Sequence, residues 1–208
     1  MNIRIGWHHA FNMEMLINSP YFWNVFIFIN MGTLTVKEGK HDYKPTKFWI
    51  GRGEYHFRYH VSMGADNEYD LVDNDQLDWN KGGGISNYLW SNHKMSAMWA
   101  FRCNPLLKTF EMCGYFHNGN EILYPGRIIQ PNKVVVVGYD EEIIIDVYMV
   151  KGIMEVTFFT SNMQHLETYL VKKYKDRRWC REIGAWFGGN EVAPRKLSMD
   201  VCVSRHRL

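Results

Sequence analysis

The chain has 208 residues, of which 24 are lysine or arginine and 22 are aspartate or glutamate, so its formal net charge is +2. This balance argues against nucleic-acid binding as the main task, because that task usually requires a concentrated basic face. Apolar residues make up 46% of the chain and aromatic residues 15%. This is enough for a substantial core and excludes a disordered protein, and at this length we expect one folded domain.

The N-terminal stretch differs from the rest of the chain. Residues 15–31 are rich in large apolar side chains, but the uninterrupted run Val25–Ile29 is far shorter than the roughly 20 residues that cross a bilayer. No small-residue cleavage site follows it, so we expect neither a membrane anchor nor a secretion signal. Residues 1–30 are predicted to be an extension, either a segment docked on the domain or sequence upstream of a natural start at Met31 instead of Met1. Residues 31–208 are predicted to form the domain.

From Met31 onward, apolar and polar residues alternate with a period of two, which is typical of strands. Between positions 55 and 63 the odd-numbered residues are apolar or aromatic and the even-numbered ones are polar. The acidic and glycine-rich stretch 66–84 predicts a loop, and His117–Asn120 predicts a hairpin turn. The strands expected over this part of the chain are 33–37, 54–63, 96–103, 109–116, 121–124, 126–129, 133–137, 143–150 and 153–160.

The last part of the chain has two further features. Residues 165–174 are the only stretch whose pattern suits a helical turn or two. Residues 182–187 and 197–203 are predicted to be two strands of a closing hairpin, joined by a glycine turn at 188–190, where a positive φ costs little.

Many short strands at even spacing, separated by glycine-rich turns, favour an all-β fold. We expect an antiparallel two-sheet sandwich of jelly-roll or concanavalin-like form, with Trp99 and Trp186 in its core. No helical pattern alternates with the strands, which argues against a parallel α/β sheet. The four cysteines have no CxxC spacing, so we expect no zinc site and predict free thiols that pack as small apolar side chains.

Three segments resemble a known group of sequences. They are Tyr69–Lys81, with Tyr-x-Leu followed by Asp-x-Asn-Lys; Asn92–Arg102, with Asn-His-x-x-Ser-Ala; and Ile183–Pro194, with Phe-Gly-Gly-Asn-x-x-Ala-Pro. Together they resemble an uncharacterised β-sandwich protein family of gut Bacteroidetes and their phages. This chain departs from the family pattern at Gly82–Gly84 and at Arg195, where the family usually has Leu-Phe-Gly and His. The resemblance implies a β-sandwich in a phage virion or at a cell surface, and it implies no established chemistry.

Oxygen ligands stand close together in one acidic loop. Asp73, Asp75 and Asp78 precede Asn80 at short spacing, which suits Ca²⁺. The spacing does not match an EF-hand, and the alternative is an acidic turn whose side chains cap its own backbone. Calcium is the single cofactor that the sequence leaves open.

Aromatic residues are the most suggestive feature for binding. Trp79 and Trp90 flank the glycine stretch, and we predict that both are exposed and available to a ligand, together with Asn92 and His93. An exposed aromatic ring stacks on sugar faces or anchors a protein interface.

The remaining histidines do not predict catalysis or metal binding. His56 and His60 lie about 13 Å apart on one strand face, too far for one ion, and are interpreted as part of a polar row. His93 near Ser96 does not indicate nucleophilic catalysis, because the chain lacks the Gly-x-Ser-x-Gly turn.

Two functions from different classes follow. The first is a non-enzymatic structural or adhesion module of a virion or cell surface that contacts glycans or protein subunits, with a homo-oligomer as an open alternative. The second is a carbohydrate-active enzyme, a glycoside hydrolase or polysaccharide lyase on a concanavalin-like scaffold. A hydrolase would need two facing carboxylates, and Glu111 and Glu121, which flank a hairpin, are the one pair that could meet. We expect no nucleic-acid or membrane partner, and either a virion or a cytoplasmic location.

Overall fold

A computed structural model describes residues 30–45, 49–71, 74–91, 93–129, 133–172, 179–189 and 191–208. The predictions for the N-terminal extension, Asp73 and Asn92 lie outside these residues. The described part of the chain contains no helix long and apolar enough to span a membrane.

The described residues form fourteen strands. Their bounds are β1 Asn30–Val36, β2 Ile50–Arg52, β3 Tyr55–Ser62, β4 Asn80–Ser86, β5 Met95–Asn104, β6 Thr109–Asn118, β7 Glu121–Pro125, β8 Ile128–Ile129, β9 Val135–Gly138, β10 Glu142–Val150, β11 Ile153–Thr160, β12 His165–Lys172, β13 Trp179–Ile183 and β14 Leu197–Arg207. Two short 3₁₀ turns, Ala65–Asn67 and Asn74–Leu77, lie between β3 and β4.

The strands build two sheets packed face to face. The six-stranded sheet has the order β1-β14-β3-β10-β11-β12, and the eight-stranded sheet has the order β2-β13-β4-β5-β6-β7-β8, with β9 also paired to β6. Neighbouring strands are antiparallel except for the short β7–β8 pair. The predicted all-β, antiparallel two-sheet sandwich of the jelly-roll or concanavalin-like class is therefore confirmed.

The alternation along β3 shows why these residues form a sandwich. Phe57, Tyr59 and Val61 are buried between the sheets, while Arg58 and His60 lie on the outer face. Across the core, Tyr59 meets Trp99 of β5 with ring centroids 6.0 Å apart. Trp99 is fully buried, as predicted.

Three predictions of local structure are wrong. The glycine-rich residues 81–84 belong to β4 and not to a loop, because β5 and β13 pair with them on both sides. Residues 165–172 form β12 and not a helical turn, since Tyr169 and Val171 alternate inward against β11. The closing hairpin is also wrong: the chain turns at Gly188 (φ +67°), but β13 joins the eight-stranded sheet and β14 the six-stranded one.

The last strand occupies an interior position. β14 lies between β1 and β3 and pairs with both of them. It also carries Arg205, whose guanidinium reaches across the core to Glu182 of β13. The ion pair between Arg205 and Glu182 thereby joins the two sheets.

Candidate functional site

The outer face of the eight-stranded sheet gathers a cation, a histidine and three large aromatic rings. We call this surface the cation–aromatic face; it consists of Lys81, Tyr115, His117, Tyr124 and Trp186. The register explains how they meet. Lys81 of β4 lies opposite Ala100 of β5, and Ala100 lies opposite Cys113 of β6, which is followed two residues later by Tyr115.

Small side chains form the floor beneath these residues. Gly84, Ala100 and Cys113 are buried on β4, β5 and β6. A Cβ atom built on Gly84 would lie 2.1 Å from the Ala97 carbonyl oxygen, so only glycine lets β4 pack this closely on β5. The small floor leaves room above it for the larger side chains beside it, of which Tyr115 and His117 are themselves only 7% and 5% exposed.

Lys81 is half-buried at the centre of the face. Its ammonium donates a hydrogen bond to the Trp79 carbonyl oxygen at 2.7 Å and lies 4.9 Å from the centroid of the Tyr115 ring. Burial lowers the pKa of Lys81, and the nearby Asp78 carboxylate partly offsets this. No ion pair among the described residues includes Lys81.

Two tyrosines form one rim of the face. The rings of Tyr115 and Tyr124 stack with centroids 5.4 Å apart and planes inclined by 4°. Burial, and then the neighbouring Tyr124, raises the pKa of Tyr115 to about 12. Tyr115 is therefore a neutral hydroxyl at physiological pH.

Trp186 forms the opposite rim. Its backbone exchanges two hydrogen bonds with Lys81, at 2.9 and 2.7 Å, so the two side chains are direct cross-strand neighbours on the same side of the sheet. The indole is 42% exposed and stacks on the His41 ring at 4.8 Å. The prediction that Trp186 lies in the core is wrong, because at this position the chain runs along the edge of β4 with the indole on the outer side.

Two histidines, His93 and His117, lie near the start of β5 and the end of β6. Ser96 Oγ is 2.9 Å from His117 Nδ1, and the Tyr115 and His117 rings are 5.5 Å apart. The exposed His93, a predicted ligand-binding residue, packs its ring 5.3 Å from that of His117. The structure thus brings His93 to the cation–aromatic face.

The two predicted tryptophans have different environments. Trp90 is 93% exposed, as expected, in the loop between β4 and β5. Trp79 is only 6% exposed, so the prediction of its exposure is wrong. The Arg102 guanidinium covers its ring at 4.6 Å, and Glu111 holds that guanidinium at 2.6 Å.

The acidic loop is only partly described. Asp78 lies next to Gly189, where an added Cβ would meet its carboxylate at 2.0 Å. Within the described ranges, no group of three or more histidine, cysteine, aspartate or glutamate side chains has the spacing of a metal site. Calcium binding by Asp73, Asp75 and Asp78 stays a prediction.

The carboxylate pair considered for hydrolysis does not form. Glu111 lies opposite Arg102 and Val136, whereas Glu121 lies opposite Asn118, seven residues further along β6. At about 3.3 Å per residue this separates them by about 23 Å, too far for two catalytic acids.

The outer face of the six-stranded sheet carries a second polar cluster, centred on Asp146 of β10. Arg58 donates two hydrogen bonds of 2.7 Å to this carboxylate. His56 Nε2 lies 2.8 Å from Asp146 Oδ1. The His56 ring is stacked between Tyr148 at 4.2 Å and His206 at 5.2 Å. His56 and His60 therefore do belong to a polar row, with His60 paired to Glu142.

Sequence reasoning missed Lys81, Tyr115, His117 and Tyr124 as members of one site. Each was visible only as part of a strand pattern, because their proximity depends on the pairing of β4, β5, β6 and β7. The clue in the sequence was the run of three glycines after Lys81, which leaves an open floor beside it.

The comparisons with known proteins show the fold. No family model matches the chain, and no curated protein does. A protein of unknown function from Saccharomyces cerevisiae has a TM-score of 0.53 at 10% identity, over 92% of this chain and 95% of that one. The alginate lyase from Klebsiella pneumoniae has a TM-score of 0.55 at 10% identity over 76% of this chain, which spans 61% of the lyase. At such identities the likeness establishes a shared β-sandwich architecture.

Proposed function

We propose that this protein is a non-enzymatic glycan-binding module whose site is the cation–aromatic face. The observation that carries the proposal is the exposed Trp186 ring directly beside the half-buried Lys81. Aromatic rings offer sugars an apolar surface with little conformational freedom to lose, and a few placed polar groups then fix their orientation.

The dimensions of the face support an extended ligand. Three strand spacings separate Trp186 from β6, which is about 14 Å across the sheet. Along the strands, polar side chains continue from Lys81 past the buried His117 to the exposed His93. An oligosaccharide lying across this sheet would contact the Trp186 rim, the central ammonium and, at the tyrosine rim, the partly exposed Tyr124.

A carbohydrate-active enzyme is the second candidate. The observation in its favour is the proximity of Tyr115 and His117, two groups able to carry protons, on a scaffold shared with a protein described as an alginate lyase. Hydrolysis by two carboxylates is disfavoured by the separation of Glu111 from Glu121 and by the ion pair between Glu111 and Arg102. Incubation of the protein with each glycan it binds, followed by measurement of newly formed chain ends, distinguishes binding from cleavage.

The biological setting is part of the proposal. The family resemblance supports a phage virion or a cell surface, where a module that binds glycans serves adhesion. Protein subunits are the alternative partners. Immunoblotting of purified phage particles and of surface fractions tests the setting, and sedimentation of the purified protein tests self-association.

The glycan proposal is tested by a glycan array probed with three proteins. We expect the wild type to bind a subset of glycans and Trp186→Ala to lose at least about 10-fold in affinity, because the stacking surface is removed. Phe159→Ala is the matched control, since Phe159 is a half-exposed aromatic residue on the outer face of the other sheet. We expect it to bind like the wild type.

Two results would overturn the proposal. One is a folded wild type that binds no glycan, which would leave assembly with protein subunits as the function. The other is equal loss of binding in Trp186→Ala and Phe159→Ala, which would place the site elsewhere. Trp90→Ala on the same array tests the sequence-based prediction that Trp90 also contacts the ligand.

A further inference from the structure

We infer that the glycan bound at the cation–aromatic face carries carboxylate groups, and that the Lys81 ammonium binds one of them. This inference rests on the proposed function and names the class of its ligand: a uronate-containing oligosaccharide. Lys81 has an unusual position, because its charge is half-buried on a strand in the middle of a sheet.

The Lys81 ammonium has three N–H donors. The Trp79 carbonyl oxygen accepts from one of them at 2.7 Å, and the Tyr115 ring lies beside the charge at 4.9 Å. Neither group carries a negative charge. Taking a cation out of water without a paired anion is costly, so a carboxylate delivered by a ligand would gain from this position.

The neighbouring acidic and weakly acidic groups do not neutralise this charge. Glu111 is held by Arg102 at 2.6 Å. Burial lowers the pKa of Lys81, and Asp78 offsets this only in part and forms no ion pair with Lys81 among the described residues. Two other groups near Lys81 are neutral, because burial raises the pKa of the Cys113 thiol and of the Tyr115 hydroxyl well above physiological pH.

A second cation lies near the tyrosine rim. Arg127 exchanges two backbone hydrogen bonds with Tyr124, at 2.8 and 3.2 Å, which places it beside the tyrosine rim. The guanidinium is exposed, in the turn that follows β7. The cation–aromatic face therefore presents positive charge at its centre and at one rim.

The geometry of Trp186 and Lys81 fits one uronate residue. Direct cross-strand neighbours have Cβ atoms about 5 Å apart. A sugar ring stacked on the exposed indole would place an exocyclic carboxylate within reach of the Lys81 side chain. A neutral sugar could make the stacking contact but would leave the ammonium without a counter-charge.

The test compares acidic glycans with neutral copies of themselves. Oligomers of galacturonate, mannuronate and glucuronate are each prepared in two forms, one intact and one with every carboxyl reduced to a primary alcohol. Binding to the wild type, Lys81→Gln, Trp186→Ala and Lys172→Gln is measured by calorimetry at two salt concentrations. Lys172 is the matched control, an exposed lysine at the end of β12 in the other sheet.

We expect the wild type to bind at least one intact oligomer about 10-fold or more tightly than its reduced copy, and less tightly at high salt. Lys81→Gln should lose this preference, whereas Lys172→Gln should keep it. Trp186→Ala should weaken the binding of both forms, because it removes the stacking contact and not the charge.

The outcomes separate the inference from the function on which it rests. Equal binding of intact and reduced oligomers, or a preference that survives in Lys81→Gln, overturns the inference and leaves glycan binding standing. Absence of binding to all six oligomers overturns the uronate inference. If the glycan array is also blank, the proposed function fails with it.

Discussion

Asp146 is a buried carboxylate on the outer face of a sheet, where a charged side chain would ordinarily be solvated. Burial on its own raises the pKa of Asp146, but the hydrogen bonds from Arg58 and the contact with His56 outweigh it and lower the pKa to about 2. The carboxylate is therefore held by its partners and not by water. Removing its charge leaves a guanidinium and an imidazole on this face without their anion.

We expect Asp146→Asn to lower the free energy of unfolding by about 3 kcal/mol near neutral pH, because breaking a buried ion pair leaves the remaining charge uncompensated. The difference in unfolding free energy between the wild type and Asp146→Asn should become smaller in acid. A carboxylate whose folded pKa lies below its ordinary value of about 3.9 stabilises the protein above that value and stops doing so as the pH falls towards 2. Urea unfolding at pH 7, 4 and 2.5 measures both effects.

Glu142→Gln provides the control, since Glu142 is an exposed residue that pairs with His60 on the same face. Its effect should stay within about 0.5 kcal/mol. Equal losses of unfolding free energy in Asp146→Asn and Glu142→Gln, each relative to the wild type, would contradict the central role of Asp146. So would a difference between the wild type and Asp146→Asn that does not narrow below pH 4.

At the scale of the strand, β4 is the element on which the candidate site depends. Its register shifts between Lys81 and Gly83, which is a bulge, and Lys81 stays on the outer face. Gly82 lies under the Trp99 ring, where a Cβ atom would lie 2.1 Å from ring carbons. The three glycines thus let one strand pass between a core tryptophan and the backbone of β5.

We expect Gly84→Ala to destabilise the protein by about 2 kcal/mol or more, because its new Cβ would meet the Ala97 carbonyl oxygen, a backbone atom that cannot rotate away. Gly32→Ala is the matched control. Gly32 lies in β1, its added Cβ would have no neighbour within 4 Å, and we expect it to be neutral or slightly stabilising. Thermal melts of the two variants measure the difference, and equal melting temperatures would show that β4 has more room than the structure indicates.

At the scale of the molecule, one buried ion pair connects the two sheets through the core. Arg205 of β14 donates to Glu182 Oε2 of β13 through Nε at 3.1 Å and Nη2 at 2.5 Å. Both residues are buried. The pair fixes the position of one sheet relative to the other, because its hydrogen bonds require a defined distance and direction that apolar packing does not.

We expect Glu182→Gln to cost at least about 3 kcal/mol of unfolding free energy, because Arg205 would keep its charge without its counter-ion. The double variant Glu182→Leu with Arg205→Met should recover most of this loss, since no buried charge remains. Glu111→Gln, which breaks the half-exposed pair with Arg102, is the control and should cost less than about 1 kcal/mol. Urea unfolding compares the four proteins, and a double variant no better than Glu182→Gln would show that the pair itself is required.

The fold class was predictable because alternation with a period of two is a local property of the chain. The pattern of β3, with Phe57 and Tyr59 inward and Arg58 and His60 outward, was read directly from the sequence. Glycine residues hide this alternation. Gly82–Gly84 lack the side chains that would show the alternation, so β4 was predicted as a loop although tertiary pairing makes it a strand.

The candidate site was less predictable, because burial depends on partners that are distant in sequence. Trp79 was expected to be exposed, and Arg102 covers it from β5. Trp186 was expected to be buried, and edge pairing with Lys81 turns it outward. In both cases the residue type was informative, but the pairing of strands determined which tryptophan a ligand could reach.

The interior position of β14 has a consequence for how the protein folds. β14 inserts between β1 and β3, so a partly folded chain in which β14 has not yet docked leaves one edge of each of these two strands unpaired. Unpaired strand edges invite association with other chains. Docking of β14 therefore both completes the six-stranded sheet and removes this route to aggregation.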